Sequence, residues 1–553
     1  MKKAIIAVMI LILLVMVIQS TSTLAYTYAN FSGFSYTGPN CGDIITQDTV
    51  LDHDLLNCSG NGLVIGADNI TLDGNGHTIS GALAEETYGI YSNGKSGINI
   101  RNCIITNFDL GMRFDSVSNS TIANNLIMNN TDGAFLYGSS SNVFHGNIVS
   151  GNKNSGLSMY VYSNNNTIFN NTISNNGENG FQMLASYYNT FFNNTLNNNV
   201  VGFYLSTAAS CNTFFDNLVV NNVDGCEIWS GASNNMIYSN NVSNNGNYGF
   251  LVSADYDTFY DNIVGNNGNS GFVLYWIYNN TLYDNTISNN GYDGLWLHNT
   301  ENITLFSNII TGNRNYGLEM NYEYYVYRDN LIYNNYFNNT ANVKDDGGIN
   351  FWNITKTLGT NIIGGPYISG NFWSDYGGTD LDGDGLGDTD SPYTSNGTIL
   401  NGGDYMPLTV NIAPPNVTIL SPQNRSYDSI SVSLDFMINQ NTLWVGYSLN
   451  NAPNVTITGQ INLTKLINGW NSITVYANST FGLIGSSNAN FFYCLGDVDG
   501  DGKVDMRDIS LAIAAFNSFP NTPRWNVFAD LDENGRVDMR DVVLVVLNFG
   551  KYA

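Results

Sequence analysis

Two acidic segments near the C-terminus share one spacing of oxygen-bearing residues. Residues 497–508 read DVDGDGKVDMRD, and residues 530–541, which begin 33 positions later, read DLDENGRVDMRD. A twelve-residue loop binds Ca²⁺ through side chains at positions 1, 3, 5, 9 and 12 and a carbonyl at position 7, with Gly at position 6 for the sharp turn. The sequence therefore predicts two calcium sites, although position 12 is Asp rather than the Glu of ordinary calcium sensors. The predicted ligands are Asp497, Asp499, Asp501, Lys503 (carbonyl), Asp505, Asp508, Asp530, Asp532, Asn534, Arg536 (carbonyl), Asp538 and Asp541.

An apolar run of helical length follows each loop, and no comparable run precedes either one. This duplicated loop-then-helix unit, residues 494–553, resembles a type I dockerin. The resemblance implies calcium-dependent docking to a cohesin-bearing scaffold protein, with loop positions 10 and 11 in contact with the cohesin. Both copies carry the same Met-Arg pair there, which predicts two docking orientations. The alternative is an ordinary helix start with a solvated Arg. The predicted contact residues are Met506, Arg507, Met539 and Arg540.

A third acidic segment lies at residues 380–391, where the spacing matches loop positions 1, 3, 5, 6 and 9 but position 12 is Ser391. We expect one more calcium ion here, and the alternative is an acidic turn. The predicted ligands are Asp380, Asp382, Asp384 and Asp388.

Composition excludes some classes of partner. The chain of 553 residues has 18 Lys and Arg against 45 Asp and Glu, for a net charge of −27. No basic patch is available for phosphates, so we expect no nucleic acid partner. A surface of this sign is also repelled by anionic lipid.

The N-terminus has the pattern of a secretion signal. Lys2 and Lys3 precede the apolar run 4–18, and residues 23–25 form a small-residue cleavage site. We therefore interpret residues 1–25 as a signal peptide and expect a secreted or cell-surface protein that does not insert into the membrane after cleavage. An uncleaved anchor is the alternative.

Cysteine usage fits an oxidising compartment. Residues 26–60 form an N-terminal cap in our interpretation, and Cys41 and Cys58 within it are predicted to form a disulfide. The pairing of the remaining four cysteines stays open. Many Asn-X-Ser/Thr sites permit glycosylation.

Residues 61–410 repeat with a period of about 23. Each repeat opens on a Gly, then alternates apolar and polar residues, and later carries Asn before another apolar pair. Such segments are typical of three short strands joined by tight turns, which stack as a right-handed parallel β-helix with rungs about 4.8 Å apart. Stacked Asn amides hydrogen-bond along such an axis, so we interpret the Asn columns as scaffold. The first predicted column is Asn124, Asn147, Asn171, Asn194, Asn217, Asn240, Asn262, Asn285, Asn308 and Asn330, and the second is Asn142, Asn166, Asn189, Asn212, Asn235, Asp257, Asn280 and Asn302.

The segment 70–81 (ITLDGNGHTISG), the Asn-rich repeats and the segment 370–393 (GNFWSDYGGTDLDGDGLGDTDSPY) together resemble the NosD-like family of periplasmic copper-binding β-helix proteins. The resemblance covers residues 40–410 and implies that 370–393 closes the solenoid. The family name implies copper, but the chain has four scattered His and no His, Cys or Met cluster at ligand spacing, so we do not expect copper.

After Pro414 and Pro415 the pattern changes to longer alternating strands. Residues 411–493 are predicted to form an immunoglobulin-like β-sandwich that acts as a spacer. We interpret Trp444 and Trp470 as its core residues.

The function that we infer for the solenoid depends on which side chains face outward. Residues one and three places after each repeat Gly are predicted to face inward, and those two and four places after it outward. Outward aromatic rings can stack on sugars, so we expect binding of a polysaccharide or surface glycan. The predicted contacts are Tyr204, Trp229, Tyr275 and Trp296 within the outward set Tyr91, Phe135, Tyr137, Tyr160, Tyr204, Trp229, Tyr275 and Trp296.

Two alternatives remain open. One is a carbohydrate-active enzyme, a polysaccharide lyase or O-glycosyl hydrolase, and the other is a structural surface or adhesion protein. A hydrolase needs two carboxyl groups that flank the scissile bond, and no pair stands out in the sequence. The outward charged candidates are Arg113, Asp115, Glu227, Asp255, Asp257, His298 and Glu319.

Overall fold

The computed structural model describes residues 38–323, 329–410, 413–427, 431–467, 469–479 and 483–552. The predicted signal peptide and the first part of the predicted cap lie outside the described residues. Within the described part, none of the helices combines the length and apolarity needed to cross a lipid bilayer.

Most of the chain is a parallel β-solenoid of about 13 turns, in which each turn contributes one strand to each of three sheets. Every pairing between neighbouring turns is parallel and runs in chain order. The strands of sheet 1 are Asp43–Ile45, Leu63–Ile65, Tyr88–Asn93, Leu110–Asp115, Asp132–Tyr137, Leu157–Tyr160, Asn179–Leu184, Val201–Ser206, Asp224–Ile228, Phe250–Val252, Phe272–Tyr275, Leu295–His298, Tyr316–Asn321 and Ala341–Asp345.

The other two sheets consist of shorter strands. The strands of sheet 2 are Thr49–Val50, Thr71–Asp73, Asn99–Arg101, Thr121–Ala123, Val143–His145, Thr167–Phe169, Thr190–Phe192, Thr213–Phe215, Met236–Tyr238, Thr258–Tyr260, Thr281–Tyr283, Thr304–Phe306 and Leu331–Tyr333. The strands of sheet 3 are Thr78–Ser80, Ile104–Thr106, Leu126–Met128, Ile148–Ser150, Thr172–Ser174, Thr195–Asn197, Leu218–Val220, Asn241–Ser243, Ile263–Gly265, Thr286–Ser288, Ile309–Thr311, Tyr336–Asn338 and Phe372–Trp373.

The solenoid interior is filled by the inward residue of each strand. After the repeat Gly202, for example, Phe203 and Leu205 are fully buried, whereas Tyr204 between them faces outward and is partly exposed. The Gly itself is needed for close approach of two rungs, because a Cβ on Gly202 would lie 2.5 Å from the carbonyl oxygen of Gly225. The inside-outside alternation of sheet 1 therefore follows the register that the sequence predicts.

Three columns of buried asparagines connect the rungs. In each column the backbone N–H of one Asn donates to Oδ1 of the Asn one rung later, and in most steps the side-chain Nδ2 donates to the same atom. Asn217, for instance, also donates from Nδ2 to the carbonyl oxygen of Phe191 at 2.9 Å. The columns thus satisfy the polar groups of the turns inside a dry stack.

The sequence placed several column members wrongly. The first column runs through Asn125 and Asn335, not Asn124 and Asn330. Asn124 has a left-handed backbone and lies one place before the column. The first column is Asn125, Asn147, Asn171, Asn194, Asn217, Asn240, Asn262, Asn285, Asn308, Asn335 and Asn371.

The second column needs a similar correction. Asn302 is not a member, because Ile303 occupies the column position and donates its N–H to Asn330. Asp257 is a member and fully buried, so it is not an outward charged residue. The third column, which the sequence analysis missed, is Asn130, Asn152, Asn176, Asn199, Asn222, Asn245, Asn267, Asn290, Asn313 and Asn339.

The solenoid ends in a cluster of large side chains. Trp352 and Trp373 are almost fully buried there. The last Asn of the first column, Asn371, donates its N–H to Oδ2 of Asp404 at 2.7 Å, and Trp373 donates Nε1–H to the same oxygen at 2.9 Å. The column therefore ends on a buried carboxyl group. At the other end of the solenoid, Cys41 and Cys58 form a disulfide.

Two small sheets follow the solenoid, and the immunoglobulin-like interpretation of this region stays a prediction. Trp470 is 63% exposed, so its placement in the core was wrong. The alternation of Gly469–Ser479 turns the neighbouring Asn471 inward instead, where it bonds main-chain carbonyls. The first of these two sheets has three strands, Val417–Ser421, Val432–Ile438 and Ile461–Leu463, and the second has five, Ser426–Tyr427, Ile484–Tyr493, Gly469–Ser479, Thr442–Leu449 and Val455–Thr456. A separate pair of strands, Thr357–Leu358 and Tyr367–Ile368, lies near the end of the solenoid.

The C-terminal region contains two α-helices, α1 (Met506–Ala515) and α2 (Met539–Leu547). Each begins directly after its acidic loop, and the two pack against each other. Single-turn 3₁₀ helices lie at Ser395–Gly397 and Val527–Ala529.

Candidate calcium loops and glycan-binding face

The two C-terminal loops fold their carboxylates into compact groups. In the first loop, one oxygen from each of Asp497, Asp499 and Asp508 lies within 4.8 Å of the others. The second loop gathers Asp530 and its equivalents in the same way, at positions 1, 3 and 12. Three carboxylates at this separation repel one another unless a cation lies between them. The arrangement matches the oxygen-rich environment that Ca²⁺ prefers.

Backbone donors hold these carboxylates in place. Asp497 accepts from the N–H groups of Asp501 and Gly502, and Asp508 Oδ1 accepts from the N–H of Val498 at 2.8 Å. Asp508 Oδ2 accepts from the N–H of Asp505, which closes a capping box at the start of α1. The short Asp at loop position 12 therefore both faces the loop and caps the helix.

Some predicted ligands have other partners. Asp505 Oδ1 accepts from the N–H of Arg507 at 2.7 Å as the N-cap of α1, and Asp538 does the same for α2. Asp501 and Asn534 lie in exposed parts of the loops. These residues, with the carbonyls of Lys503 and Arg536, stay predicted ligands.

One carboxylate oxygen in the loops, Asp530 Oδ1, has no hydrogen-bond partner among the described residues. Asp499 Oδ2 has an ion pair with Arg507 Nε at 3.1 Å in place of a hydrogen bond. Burial and the nearby Asp508 raise the pKa of Asp497, and burial and Asp541 raise the pKa of Asp530. A calcium ion would satisfy Asp530 Oδ1 in the second loop, and in the first loop it would take the place of Arg507 beside Asp499.

The predicted docking residues all lie on the surface. Met506 is 62% exposed and Met539 is 61% exposed, and both Arg507 and Arg540 are exposed beside them. The two loop-then-helix repeats thus present the same exposed Met-Arg pair at the start of each helix.

The third acidic loop, 380–391, also gathers three carboxylates, from Asp380, Asp382 and Asp388. Asp380 is fully buried, and its oxygens accept from the backbone of Gly383 and Gly385. Asp384 instead pairs with Lys356. A calcium ion at this loop stays a prediction.

The four predicted glycan contacts all face outward from sheet 1. Trp229 and Tyr275 are 36% and 40% exposed, and Tyr204 and Trp296 are partly exposed. The ring of Tyr275 stacks on His298, with centroids 4.8 Å apart. The structure therefore brings Trp229 and Tyr275 to the same edge of sheet 1, two rungs apart.

A row of exposed aromatic residues, which the sequence analysis missed, lies at the turn between sheet 1 and sheet 2. We call this row, together with Trp229 and Tyr275, the aromatic corner. The turns lack the strand alternation on which the sequence argument depended, and their only signal was repeated Tyr about seven places after the repeat Gly. The aromatic corner comprises Tyr162, Tyr188, Trp229, Tyr256, Tyr275, Trp276 and Tyr278, which are each 36–64% exposed.

Sheet 2 carries a second aromatic column of a different kind. Its rings stack on one another from rung to rung, with centroids 4.7–5.3 Å apart and planes within 9°. The ring faces are therefore covered, and only the edges reach solvent. The column is His145, Phe169, Phe192, Phe215, Tyr238, Tyr260, Tyr283, Phe306 and Tyr333.

Charged groups on the outward face of sheet 1 are mostly paired. Arg113 binds Asp115 at 3.0 Å, and Trp229 donates Nε1–H to Glu227 at 2.7 Å. Burial raises the pKa of Glu227. Asp255 accepts the backbone N–H of Tyr278. The sequence-derived charged residues therefore do not gather into one catalytic group.

Two carboxyl groups, those of Asp293 and Glu319, lie close together farther along sheet 1. The sequence analysis named Glu319 but not Asp293. Asp293 is fully buried against Glu319, which binds Lys344 at 2.9 Å. Burial and the neighbouring Glu319 raise the pKa of Asp293. Trp296 precedes Glu319 in the same outward column.

The residues do not fit a copper site. His53 and His77 each bind a separate Asp, His145 stacks on Phe169, and His298 stacks on Tyr275. Every group of three or more potential metal ligands among the described residues contains only Asp. Burial also raises the pKa of the Cys103 thiol to about 12, which disfavours the thiolate that soft metals bind.

Comparison with solved structures finds similar chains at low identity. They include the Azotobacter vinelandii mannuronan C-5 epimerase AlgE4 A-module (18% identity, 56% of this chain and 88% of that chain, TM-score 0.37). The Dettilon tailspike protein is 13% identical over 78% of this chain and 72% of its own, with a TM-score of 0.33. An alginate lyase from Paenibacillus sp. str. FPU-7 is 13% identical over 56% and 92%, with a TM-score of 0.23. At these scores we take no ligand or activity from them.

No curated protein matches the chain. Family models match two parts of it. Residues 495–548 match the type I dockerin domain. Residues 42–231 and 228–378 match the model described as periplasmic copper-binding protein (NosD). These two segments span more than half of the sequence, and the chain belongs to the NosD family.

Proposed function

We propose that this protein is a secreted or cell-surface glycan-binding protein that is held on a cohesin-bearing scaffold by its calcium-loaded dockerin. The aromatic corner binds a polysaccharide or surface glycan, and the C-terminal module provides the attachment. The observation that carries the proposal is the row of exposed rings along one edge of the solenoid, in the same chain as a dockerin.

The geometry of the aromatic corner supports contact with a long ligand. Rungs rise about 4.8 Å each, so Trp229 and Tyr275 are separated by about 10 Å along the axis. The exposed parts of these rings offer apolar contacts to successive sugar units, although His298 covers one face of Tyr275. Glu227 and Asp255 beside them can accept hydrogen bonds from hydroxyl groups. An extended chain can therefore lie parallel to the solenoid axis.

Affinity electrophoresis of the full-length protein in gels that contain soluble polysaccharides tests the glycan part. We expect Tyr275→Ala and Trp229→Ala each to weaken retardation about tenfold, since each removes an exposed stacking surface. The matched control is Tyr260→Ala, because both faces of the Tyr260 ring are covered by Tyr238 and Tyr283. Equal retardation of all three variants and the wild type contradicts the proposal.

The attachment part depends on calcium in both loops. We expect the protein to bind an immobilised type I cohesin with calcium and to lose that binding with chelator. A Met506→Ala/Met539→Ala variant removes the exposed residue from both helices and is expected to weaken binding even with calcium. Retention in chelator contradicts the calcium-dependent part.

A second candidate function is carbohydrate cleavage, by a lyase or glycoside hydrolase. It is favoured by one observation, the buried Asp293 and Glu319 with Lys344, next to Trp296 on the outward face. An activity screen on neutral and acidic polysaccharides, with Glu319→Gln as control, distinguishes the two functions. Products that the wild type forms and Glu319→Gln does not would favour the enzyme.

A further inference from the structure

One open groove lies in the aromatic corner, where the turn after sheet 1 crosses to sheet 2. It has a volume of about 560 Å³ and is lined by Tyr278, Asn279, Glu301, Asn302 and Asp329. Tyr278 is 47% exposed, and its backbone N–H is fixed to Asp255 Oδ1 at 2.9 Å. A ring with a fixed backbone on one side and open space on the other is a preformed platform.

We propose that this groove is a subsite for one neutral sugar unit of a polysaccharide. The proposal rests on the glycan-binding function above and adds the chemical class of the ligand. Three properties of the groove carry it: the ring platform, the amide groups and the sign of the charge.

The platform has two walls. The ring of Tyr278 meets the ring of Tyr256 edge-on, with centroids 5.8 Å apart and an interplanar angle of 86°. Tyr256 is 50% exposed. One ring can therefore cover the apolar face of a sugar while the other contacts its edge, an arrangement that suits a flat, partly apolar ligand.

The amides supply hydroxyl recognition. Asn302 donates Nδ2–H to Oδ1 of Asn279, which orients both side chains. Each amide also keeps a second polar atom, a donor on Asn279 and an acceptor on Asn302. Neighbouring hydroxyls of a sugar are both donors and acceptors, so this pair matches them.

The charge of the described lining favours a neutral ligand over an acidic one. Glu301 and Asp329 line the groove and Asp255 lies beside it, and none of the lining residues that the structure describes is Lys, Arg or His. The cations on the outward face of sheet 1 are already paired, Arg113 with Asp115 and Lys344 with Glu319 and Asp346. A uronate or sulfated sugar would meet uncompensated like charge. Carboxylates do accept hydrogen bonds from neutral hydroxyls.

A metal ion is a poorer occupant. The three-carboxylate groups among the described residues lie in the acidic loops and not in this groove. Glu301 and Asp329 are supplemented by amides and a phenol, which match a sugar better than a hard cation.

Isothermal titration calorimetry on the full-length, calcium-loaded protein tests the inference. The probes are cellohexaose, xylohexaose and mannohexaose as neutral ligands and hexagalacturonate as the acidic one. We expect binding of at least one neutral ligand and none of hexagalacturonate. Tyr278→Ala is expected to weaken the neutral interaction about tenfold, and Asn302→Ala about threefold.

The matched control is Tyr292→Ala. Tyr292 is also 50% exposed, but it lies in the turn that precedes Leu295–His298, at the other edge of sheet 1. Its removal should leave affinity unchanged. Glu301→Lys adds a cation to the groove and is expected to confer measurable hexagalacturonate binding.

The outcomes separate the inference from the proposed function. If hexagalacturonate binds the wild type and the neutral ligands do not, the neutral class is wrong but glycan binding stands. If a neutral ligand binds and Tyr278→Ala binds equally well, the groove is not the subsite. If neither ligand class nor any polysaccharide binds, the proposed function itself fails. Circular dichroism of each variant checks that the solenoid is intact.

Discussion

The solenoid and the dockerin satisfy their buried polar groups in opposite ways. In the solenoid, each buried Asn is matched by the Asn of the next rung, so donors and acceptors balance within the chain. In the dockerin loops, buried carboxylates face one another and leave oxygens such as Asp530 Oδ1 without a partner. The amides of the columns therefore need no ion, whereas the carboxylates of the loops have the arrangement that a bound cation would stabilise. We therefore expect the stability of the two regions to respond separately to calcium removal and to pH.

Chelation should give the largest effect. Removing calcium from the full-length protein is expected to unfold the region that contains α1 and α2, because a small module whose carboxylates repel has little core to compensate. At a thousandfold excess over Kd, each ion contributes about 4 kcal/mol that chelator removes.

Far-UV circular dichroism and thermal melting measure the unfolding of the dockerin after calcium removal. The helical signal and one melting transition should disappear with chelator, while the β-sheet signal and the second transition remain. Loss of both transitions together would show that the regions are not independent, and loss of neither would argue against calcium loops.

Breaking a column inside the solenoid should cost less than chelation does in the dockerin. Asn217→Ala removes the side chain that accepts from the backbone N–H of Asn194 and donates to the carbonyl oxygen of Phe191, so both groups lose this partner. Asn240 Oδ1 loses one donor but keeps the backbone N–H of residue 217. We expect a loss of about 3 kcal/mol in the free energy of unfolding.

Chemical denaturation of the solenoid signal measures that loss. The control is Asn241→Ala, because Asn241 is an outward, partly exposed residue of sheet 3 and belongs to none of the columns. An equal effect of the two variants would show that the columns do not stabilise the fold.

Asp257 should give the smallest effect, and that effect should depend on pH. It occupies a column position, accepts from Asn235 through Oδ1 and leaves Oδ2 buried without a hydrogen-bond partner among the described residues. Burial raises its pKa well above the usual value. Because the folded pKa is the higher one, the protonated form stabilises the fold fully below pH about 4, and stability falls as the pH rises toward the folded pKa.

Asp257→Asn restores the amide donor that the neighbouring rungs have at Asn235 and Asn280, and it removes the titration. We expect it to gain about 1–2 kcal/mol at pH 8 and little at pH 4. Urea denaturation at both values checks the sign. A gain of equal size at both values would mean that Asp257 is not protonated in the fold.

The repeat architecture was predictable because it depends on periods that the sequence shows directly. Alternation around each repeat Gly placed Tyr204 and Trp229 outward, as the structure has them. The Asn columns were harder, since runs such as Asn124-Asn125 offer two candidates and only the hydrogen bonds select Asn125.

The aromatic corner and its groove could not be found in this way. Tyr278 and Tyr256 lie in turns whose backbone has no regular period, and their proximity depends on how successive rungs align. Trp470 failed for a related reason, because a large apolar residue was assigned to a core that the strand register gave to Asn471. The loop ligands were found because spacing within twelve residues sets their geometry locally.

The first Asn column ends on Asp404, and this has a consequence for how the molecule grows. Each Asn of the column donates hydrogen bonds to the Asn of the next rung. Asp404 accepts hydrogen bonds from Asn371 and donates none onward, so the column ends there. Asp404 is fully buried, so the column ends inside the fold and offers no group that a second copy could extend. A turn inserted between existing rungs would meet a matching amide on both sides, whereas a turn placed after Asn371 would have to displace Asp404.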